Sequence, residues 1–328
     1  MNDEHKIKTS VVGVDISPDI TTYAVVDIRG NILARSHFCT SDYKNVNEYV
    51  AVLSDHILRI VENNGGYENI RSVGISAPSA NFLTGSIENA SNLTWKGVIP
   101  LAAMLRDRLG LAVAVANDAH TTALAEFTYG AAHGTNDFVV LSFGHGGVGS
   151  CIYSHGVAHL GANGFAGEIG HTCIVDGGRQ CTCGRKGCLE EYVTPRGVMK
   201  TAHEVLAESD APSLLRDITD IKVHDVTLCA IQGDTLAQEI YRRTGEWLGI
   251  GLANYATAIN PEVIVLAGTI SDAGEWLLGP AEKSLDEHVF HNLRGKVRLL
   301  FSIISNEERD ILGASALAWE VKEYSLFK

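Results

Sequence analysis

From Gly164 to Glu191 the chain reads GFAGEIGHTCIVDGGRQCTCGRKGCLEE. Cys181, Cys183 and Cys188 make a C-x-C-x4-C cluster on a knuckle of glycine and basic residues, and His171 stands ten residues ahead of it. Three thiols and one imidazole are a complete tetrahedral donor set for a structural zinc ion and leave no position open for water. Incidental loop cysteines are the bland alternative, and a redox pair would use C-x-x-C rather than C-x-C. Glu168 and Glu190 bracket the unit, so an ion held by His171, Cys181, Cys183 and Cys188 would also fix the positions of two carboxylates.

Working outward, a length of 328 residues suggests two domains, and a hydrophobic content of 45% suffices for sizeable cores. No apolar run is long enough to span a membrane and no charged-then-apolar leader opens the chain, so neither a membrane partner nor a signal peptide is expected. Seven cysteines, three of them in the knuckle, fit a reducing cytoplasm. Cys39, Cys151, Cys173 and Cys229 stand singly in apolar surroundings and are expected to behave as small hydrophobes. The net charge of −13 argues against nucleic acid as a partner, because such binding rests on Lys and Arg neutralising phosphates.

β-branched stretches at Ser10–Asp15, Thr22–Asp27 and Asn31–Phe38 predict three strands, the last two joined by a turn. Val46, Tyr49, Val50, Leu53, Ile57, Ile60 and Val61 carry the helical period, which Asn63-Asn64-Gly65-Gly66 ends. A strand at Ile70–Ser76, a helix at Pro100–Leu109, a strand at Leu111–Ala116 and a helix at Ala119–Tyr129 follow. The second half repeats the theme with strands at Asp137–Phe143 and Val148–Tyr153. Helices at Pro195–Glu208 and Thr235–Asn260, a strand at Val263–Ala267 and a helix near Ala273–Val289 come next. A strand at Val297–Ile304 and a helix at Ile311–Tyr324 close the chain. Two such openings, each followed by alternating strands and helices, predict a duplicated α/β architecture.

The segment GANGFAGEIGH (161–171), followed by C-x-C-G-x-x-G-C-L-E ending at Glu190, resembles the signature of the ROK family (repressors, open reading frames and kinases) and is most similar to its bacterial glucokinase-like members. The resemblance runs from Val11 to the end of the chain. It implies the actin-like ATPase (ribonuclease H-like) fold, with two lobes and a cleft between them. Residues 1–120 would form a small lobe, completed by the closing helix at 312–328, and residues 121–311 a large lobe carrying the knuckle. It also implies an ATP-dependent hexose kinase, with the glucose 6-hydroxyl first among substrates. In the family the His and three Cys hold zinc, while Glu168, His171 and Glu190 are the positions that bind sugar hydroxyls. Asn117 would help to orient the ring, and Asn81 and Asn92 lie in the loop that lines the family's sugar pocket. Magnesium would arrive with ATP. Relatives are commonly dimers or tetramers, so a homo-oligomer is expected.

Asn117-Asp118-Ala119 lies where a strand meets a helix. On spacing alone Asp118 reads first as a helix cap. The resemblance implies instead the catalytic base, which accepts the proton of the sugar hydroxyl as its oxygen attacks the γ-phosphate. His120 reads as a surface helical residue.

The nucleotide motifs depart from the family pattern. Family kinases carry D-x-G-G-T after the first strand, where this chain has Asp15-Ile16-Ser17-Pro18-Asp19. Pro18 has no N–H to offer a phosphate, and Asp19 adds a negative charge. The second loop, Gly144-His145-Gly146-Gly147-Val148-Gly149, has one residue inserted relative to G-T-G-x-G, and the third reads Ala267-Gly268-Thr269. The resemblance still implies that Asp15, Gly144, Gly146, Gly147, Gly149, Gly268 and Thr269 face the nucleotide. Two readings follow: a hexose kinase with weak ATP affinity, or a sugar-binding sensor with impaired ATP use. Family repressors carry a helix-turn-helix before the first strand; with a strand beginning within ten residues of Met1, none is expected here.

Overall fold

The β-branched runs near the start fold into β1 (Ser10–Ile16), β2 (Ile20–Asp27) and β3 (Ile32–Cys39), paired antiparallel. α1 (Val46–Glu62) then carries the chain to β4 (Ile70–Ser76), which lies parallel to β1. Tyr49, Val50, Leu53, Ile57, Ile60 and Val61 of α1 are buried, as its period predicts. Each aliphatic side chain so placed contributes about 1.5–3 kcal/mol. β5 (Ala80–Asn81), β6 (Ser86–Glu88) and β7 (Val98–Ile99) form a small sheet too short to show a period in sequence. α2 (Leu101–Leu109), β8 (Ala112–Ala116) and α3 (Asp118–Thr128) follow. The order of the main sheet is β3-β2-β1-β4-β8.

β9 (Phe138–Gly144), β10 (Gly147–Ser154) and β11 (Val157–Ala158) open the second half with the same antiparallel meander. The knuckle, α4 (Glu190–Val193), α5 (Pro195–Glu208), α6 (Val223–Ile231) and α7 (Thr235–Ile259) come next. α6 escapes sequence reading because its apolar residues fall on several faces. β12 (Val263–Gly268), α8 (Glu275–His288) and β13 (Arg298–Phe301) complete a sheet ordered β11-β10-β9-β12-β13. Counting only the strands of each five-stranded sheet, both run third, second, first, fourth, fifth. This repeat is the duplicated α/β layout of the actin-like ATPase fold.

This computed structural model describes residues 8–144 and 147–321. The chain divides into two units: Met1–His133 with Gly161–Phe165 and Ile304–Lys328, and Gly134–Leu160 with Ala166–Ile303. The boundary therefore follows α3, which a division after residue 120 would cut. Cys151 and Cys229 are buried, whereas Cys39 and Cys173 are exposed, contrary to the apolar setting expected of all four. Cys39 ends the edge strand β3, and Cys173 lies two residues after His171, paired with Cys188 at the base of the knuckle. Among the described residues no helix is long and apolar enough to cross a membrane.

The last helix, α9 (Asn306–Glu320), returns to the first sheet. It starts before the expected Ile311 because its first turn is polar and exposed and carries no apolar period. It ends at Glu320, and the remainder of the expected helix beyond 321 lies outside the described residues. Ser72 Oγ donates to the Ala318 carbonyl at 2.6 Å. The approach is so close that a Cβ on Gly74 would sit 2.0 Å from the Ala314 carbonyl oxygen. Gly74→Ala is therefore expected to destabilise the protein by about 1–3 kcal/mol, the range for overpacking, seen as a lower midpoint in denaturant unfolding. An unchanged midpoint would mean that α9 can withdraw from the sheet at little cost.

Candidate functional site

β8 ends at Ala116 and α3 begins at Asp118, so Asn117 and Asp118 emerge at a strand's carboxyl end, a frequent place for reactive groups in α/β folds. Asn117 is the cap: its Oδ1 accepts from the Ala119 and His120 amides at 2.8 and 3.3 Å. The reading of Asp118 as the cap is thereby corrected. Asp118 is the first helical residue, and solvent reaches it. The protein around its carboxyl still disfavours the charged form and raises its pKa, against the pull of the Ala119 amide at 2.8 Å.

Asp15, at the end of β1, is pushed up to about 8 by burial and then by the Asp310 carboxylate, with the Ser76 hydroxyl opposing. Burial also raises Asp310, on α9, where Arg309 opposes and Asp118 adds to the shift. Asp15, Asp118 and Asp310 thus gather three mutually repelling carboxylates in the first unit. Asp310 has no signal in the sequence, being one acid among several where α9 starts.

Asn81 is buried and engaged at both ends. Its Oδ1 accepts from the Leu83 amide at 3.0 Å, and its Nδ2 donates to the Asn163 carbonyl at 3.3 Å. Asn92 is exposed between β6 and β7. His120 is buried rather than on the surface, its ring edge-on to Phe82 at 5.3 Å. Burial pulls its pKa down to about 4, so the imidazole is neutral at pH 7. α3 hides this in sequence because every residue from Ala119 to Glu126 is buried.

Of the stretches expected to face the nucleotide, Ser17, Pro18 and Asp19 form the turn between β1 and β2. The Ser17 amide donates to the Ile20 carbonyl at 3.0 Å, and Ser17 Oγ accepts from the Ile20 amide at 3.1 Å. Two backbone donors are therefore spent inside the turn, and Pro18 has none to give. Asp19 is exposed. Gly144 pairs with Gly147, and Gly149 with Ser142, across β9 and β10; Gly146 lies outside the described residues. A Cβ on Gly268 would sit 2.2 Å from the Phe143 carbonyl oxygen, so strand packing alone demands that glycine. Thr269 Oγ1 is buried, has no hydrogen-bond partner among the described residues, and borders a small pocket lined by Val193, Pro195, Val198, Tyr241 and Ile270.

In the second unit the knuckle is tied by short backbone pairings, Cys173 with Cys188 and Gln180 with Lys186. Gly187, at φ 78°, lies where a Cβ would meet the Val175 carbonyl oxygen at 1.8 Å, which explains glycine before the last cysteine. Arg179 anchors the base: its guanidinium lies 4.6 Å from the Tyr192 ring centre, donates to the Glu191 carbonyl at 2.9 Å and pairs with Glu204 at 2.6 Å. His171 ends a single 3-10 turn, and Arg185 donates to its carbonyl at 2.7 Å.

The ligand atoms of His171, Cys181, Cys183 and Cys188 all lie within 4.8 Å of one another. The Cys183 and Cys188 sulfurs are 3.6 Å apart, and Cys181 Sγ is 3.7 Å from His171 Nδ1. A tetrahedral zinc ion, at ~2.3 Å from sulfur and ~2.0 Å from nitrogen, needs separations of roughly 3.5–3.8 Å. Donor types and spacing both fit such an ion. Glu190 opens α4 beside the cluster and is buried, its Oε1 3.0 Å from Cys181 Sγ, 3.7 Å from His171 Nδ1 and 3.9 Å from Arg196. Glu191, also buried, pairs with Arg196 and Lys200 at 2.5 Å each. Glu168 is exposed just before the turn that carries His171.

Comparison with known proteins widens the picture. A glucokinase from Halalkalibacterium halodurans is 30% identical over 95% of this chain and 94% of its own length. A xylose repressor from Bacillus spizizenii is 27% identical over 94% of this chain and 77% of its own. Among solved structures, a ROK family glucokinase from Streptomyces griseus in complex with glucose and AMPPNP superposes with a TM-score of 0.73 at 28% identity, over 95% of this chain and all of that one. The ROK family model matches residues 11–321, and with the zinc-type knuckle and the duplicated fold in place, this chain belongs to the ROK family.

Proposed function

We propose that this chain is a sugar kinase that transfers the γ-phosphoryl group of ATP to a hexose hydroxyl, with the glucose 6-hydroxyl favoured by its likeness to glucokinases along nearly the whole chain. The observation that carries the reading is Asp118. Its carboxylate is released from capping by Asn117, open to solvent and raised in pKa. A general base works best when its proton affinity approaches the working pH. Asp118 takes the proton of the attacking hydroxyl, while Asn117, Glu168, His171 and Glu190 hold the other hydroxyls and fix the ring. Zinc held by His171, Cys181, Cys183 and Cys188 supplies rigidity alone: Nδ1 of His171 faces the cluster, which leaves the other ring nitrogen for a hydroxyl. Asp15 is the acid that would face nucleotide-borne magnesium. An ADP-release assay across a hexose panel tests the reading, and turnover no higher than that of Asp118→Asn on every sugar would end it.

A second reading, a sugar-binding protein with impaired ATP use, is favoured by the self-bonded turn at Ser17–Asp19 and by the likeness to a xylose repressor. A charge-assisted hydrogen bond contributes about 1.5–3 kcal/mol, so one lost phosphate contact weakens ATP binding by roughly ten- to a hundredfold. Replacing residues 17–19 by Gly-Gly-Thr is expected to tighten ATP binding by that factor and to leave sugar affinity alone, as read by calorimetry. Micromolar ATP affinity in the natural protein, unchanged by the replacement, would remove the main support for the sensor reading.

A further inference from the structure

β10 starts at Gly147, whose φ is 136°. A Cβ placed there would lie 2.7 Å from Glu190 Oε2 and 3.7 Å from Glu190 Cδ, and among the described residues it would meet no other atom within 4 Å. The glycine is therefore bare toward one side chain only. The other oxygen of that carboxylate is bounded as well, with Cys181 Sγ at 3.0 Å, His171 Nδ1 at 3.7 Å and Arg196 at 3.9 Å from Oε1. Glu190 is only 3% exposed, so its carboxylate has little room to swing.

We propose that Gly147, in the glycine stretch expected to face the nucleotide, is a positioning residue for Glu190, and through it acts on sugar binding. The inference rests on the reading of Glu190 as a carboxylate that accepts from a sugar hydroxyl. Such a bond works over O···O distances of about 2.5–3.0 Å and weakens steeply outside them. A methyl group at position 147 forces Oε2 away. With the Oε1 side filled by the knuckle and Arg196, the carboxylate leaves its place by changing rotamer, not by a small slide. Losing a hydrogen bond to a charged acceptor weakens binding by about ten- to a hundredfold.

The test is glucose binding by calorimetry with no nucleotide present, on the full chain with its zinc content measured. Gly147→Ala is expected to weaken binding by about ten- to a hundredfold at unchanged zinc content, and Glu190→Gln to weaken it comparably. In Gly147→Ala/Glu190→Asp the shorter acid withdraws from the added methyl. The double variant should then bind no worse than Glu190→Asp alone, a non-additive result that independent sites do not give. Glucose affinity unchanged in Gly147→Ala, with only the KM for ATP raised, would overturn the positioning role and leave Glu190 as assigned. An additive double variant would overturn it too, because it would trace the loss to the strained backbone at position 147, which a shorter acid cannot relieve. If Glu190→Gln binds glucose as well as the natural protein does, the assignment of Glu190 and the role of Gly147 fall together. If Gly147→Ala does not fold, recovery of folded protein in the double variant supports the proposal, and failure of both overturns it.

Discussion

Asp118→Asn is expected to lower phosphoryl transfer by about 10²–10⁴-fold, the usual contribution of a general base, while sugar affinity changes little. The asymmetry follows from the role: the carboxylate acts on the proton that leaves in the transition state, so its loss appears in kcat more than in binding. The amide also preserves local structure, because the cap of α3 is Asn117 and not Asp118. The pH profile gives a second readout. With its pKa raised by the protein around it, Asp118 gains its proton, and the rate falls, at a higher pH than the ordinary aspartate value of about 3.9 would give. Equal losses of binding and turnover in Asp118→Asn, or an acid limb at the ordinary value, would make Asp118 a binding or structural residue.

Removing one knuckle ligand is the other change expected to have a large effect. Freshly purified protein should carry one zinc per chain, and Cys183→Ala should lose both the metal and sugar binding. Structural zinc in small folds contributes on the order of 10–16 kcal/mol. Here Arg179 and short backbone pairings at Cys173–Cys188 and Gln180–Lys186 hold the base of the loop, while the ligand end at Cys181–Cys183 depends on the ion. His171 is one of the four ligands and Glu190 lies within 4 Å of two of them, so a slack knuckle would release both groups proposed to hold sugar hydroxyls. Protein isolated without zinc, or a Cys183→Ala variant with full sugar affinity, would refute this role of the knuckle.

The sequence by itself determined the features whose information is local. Cysteine spacing marks the knuckle, and the four proposed ligands do converge; the 3.6-residue period places α1 from Val46 to Glu62; β-branched runs place the first meander and the β9–β10 pair, but not the two-residue β11. Local chemistry also marks the turn at Ser17–Asp19 as poor in free donors, and its hydrogen bonds agree. Other features depend on residues far apart in the chain, for which no short-range pattern exists. α9, whose return to the first lobe is implied by the family resemblance alone, carries Asp310 toward Asp15 and Asp118, some two hundred residues or more away in sequence. Asn81 spends its amide on the segment at 161–165, and His120 is buried against Phe82, because tertiary packing chooses partners that helical period or loop position does not encode. The bare backbone of Gly147 against Glu190 is of the same kind: glycine allows the approach, but only the docking of β10 beside α4 decides which side chain fills the space.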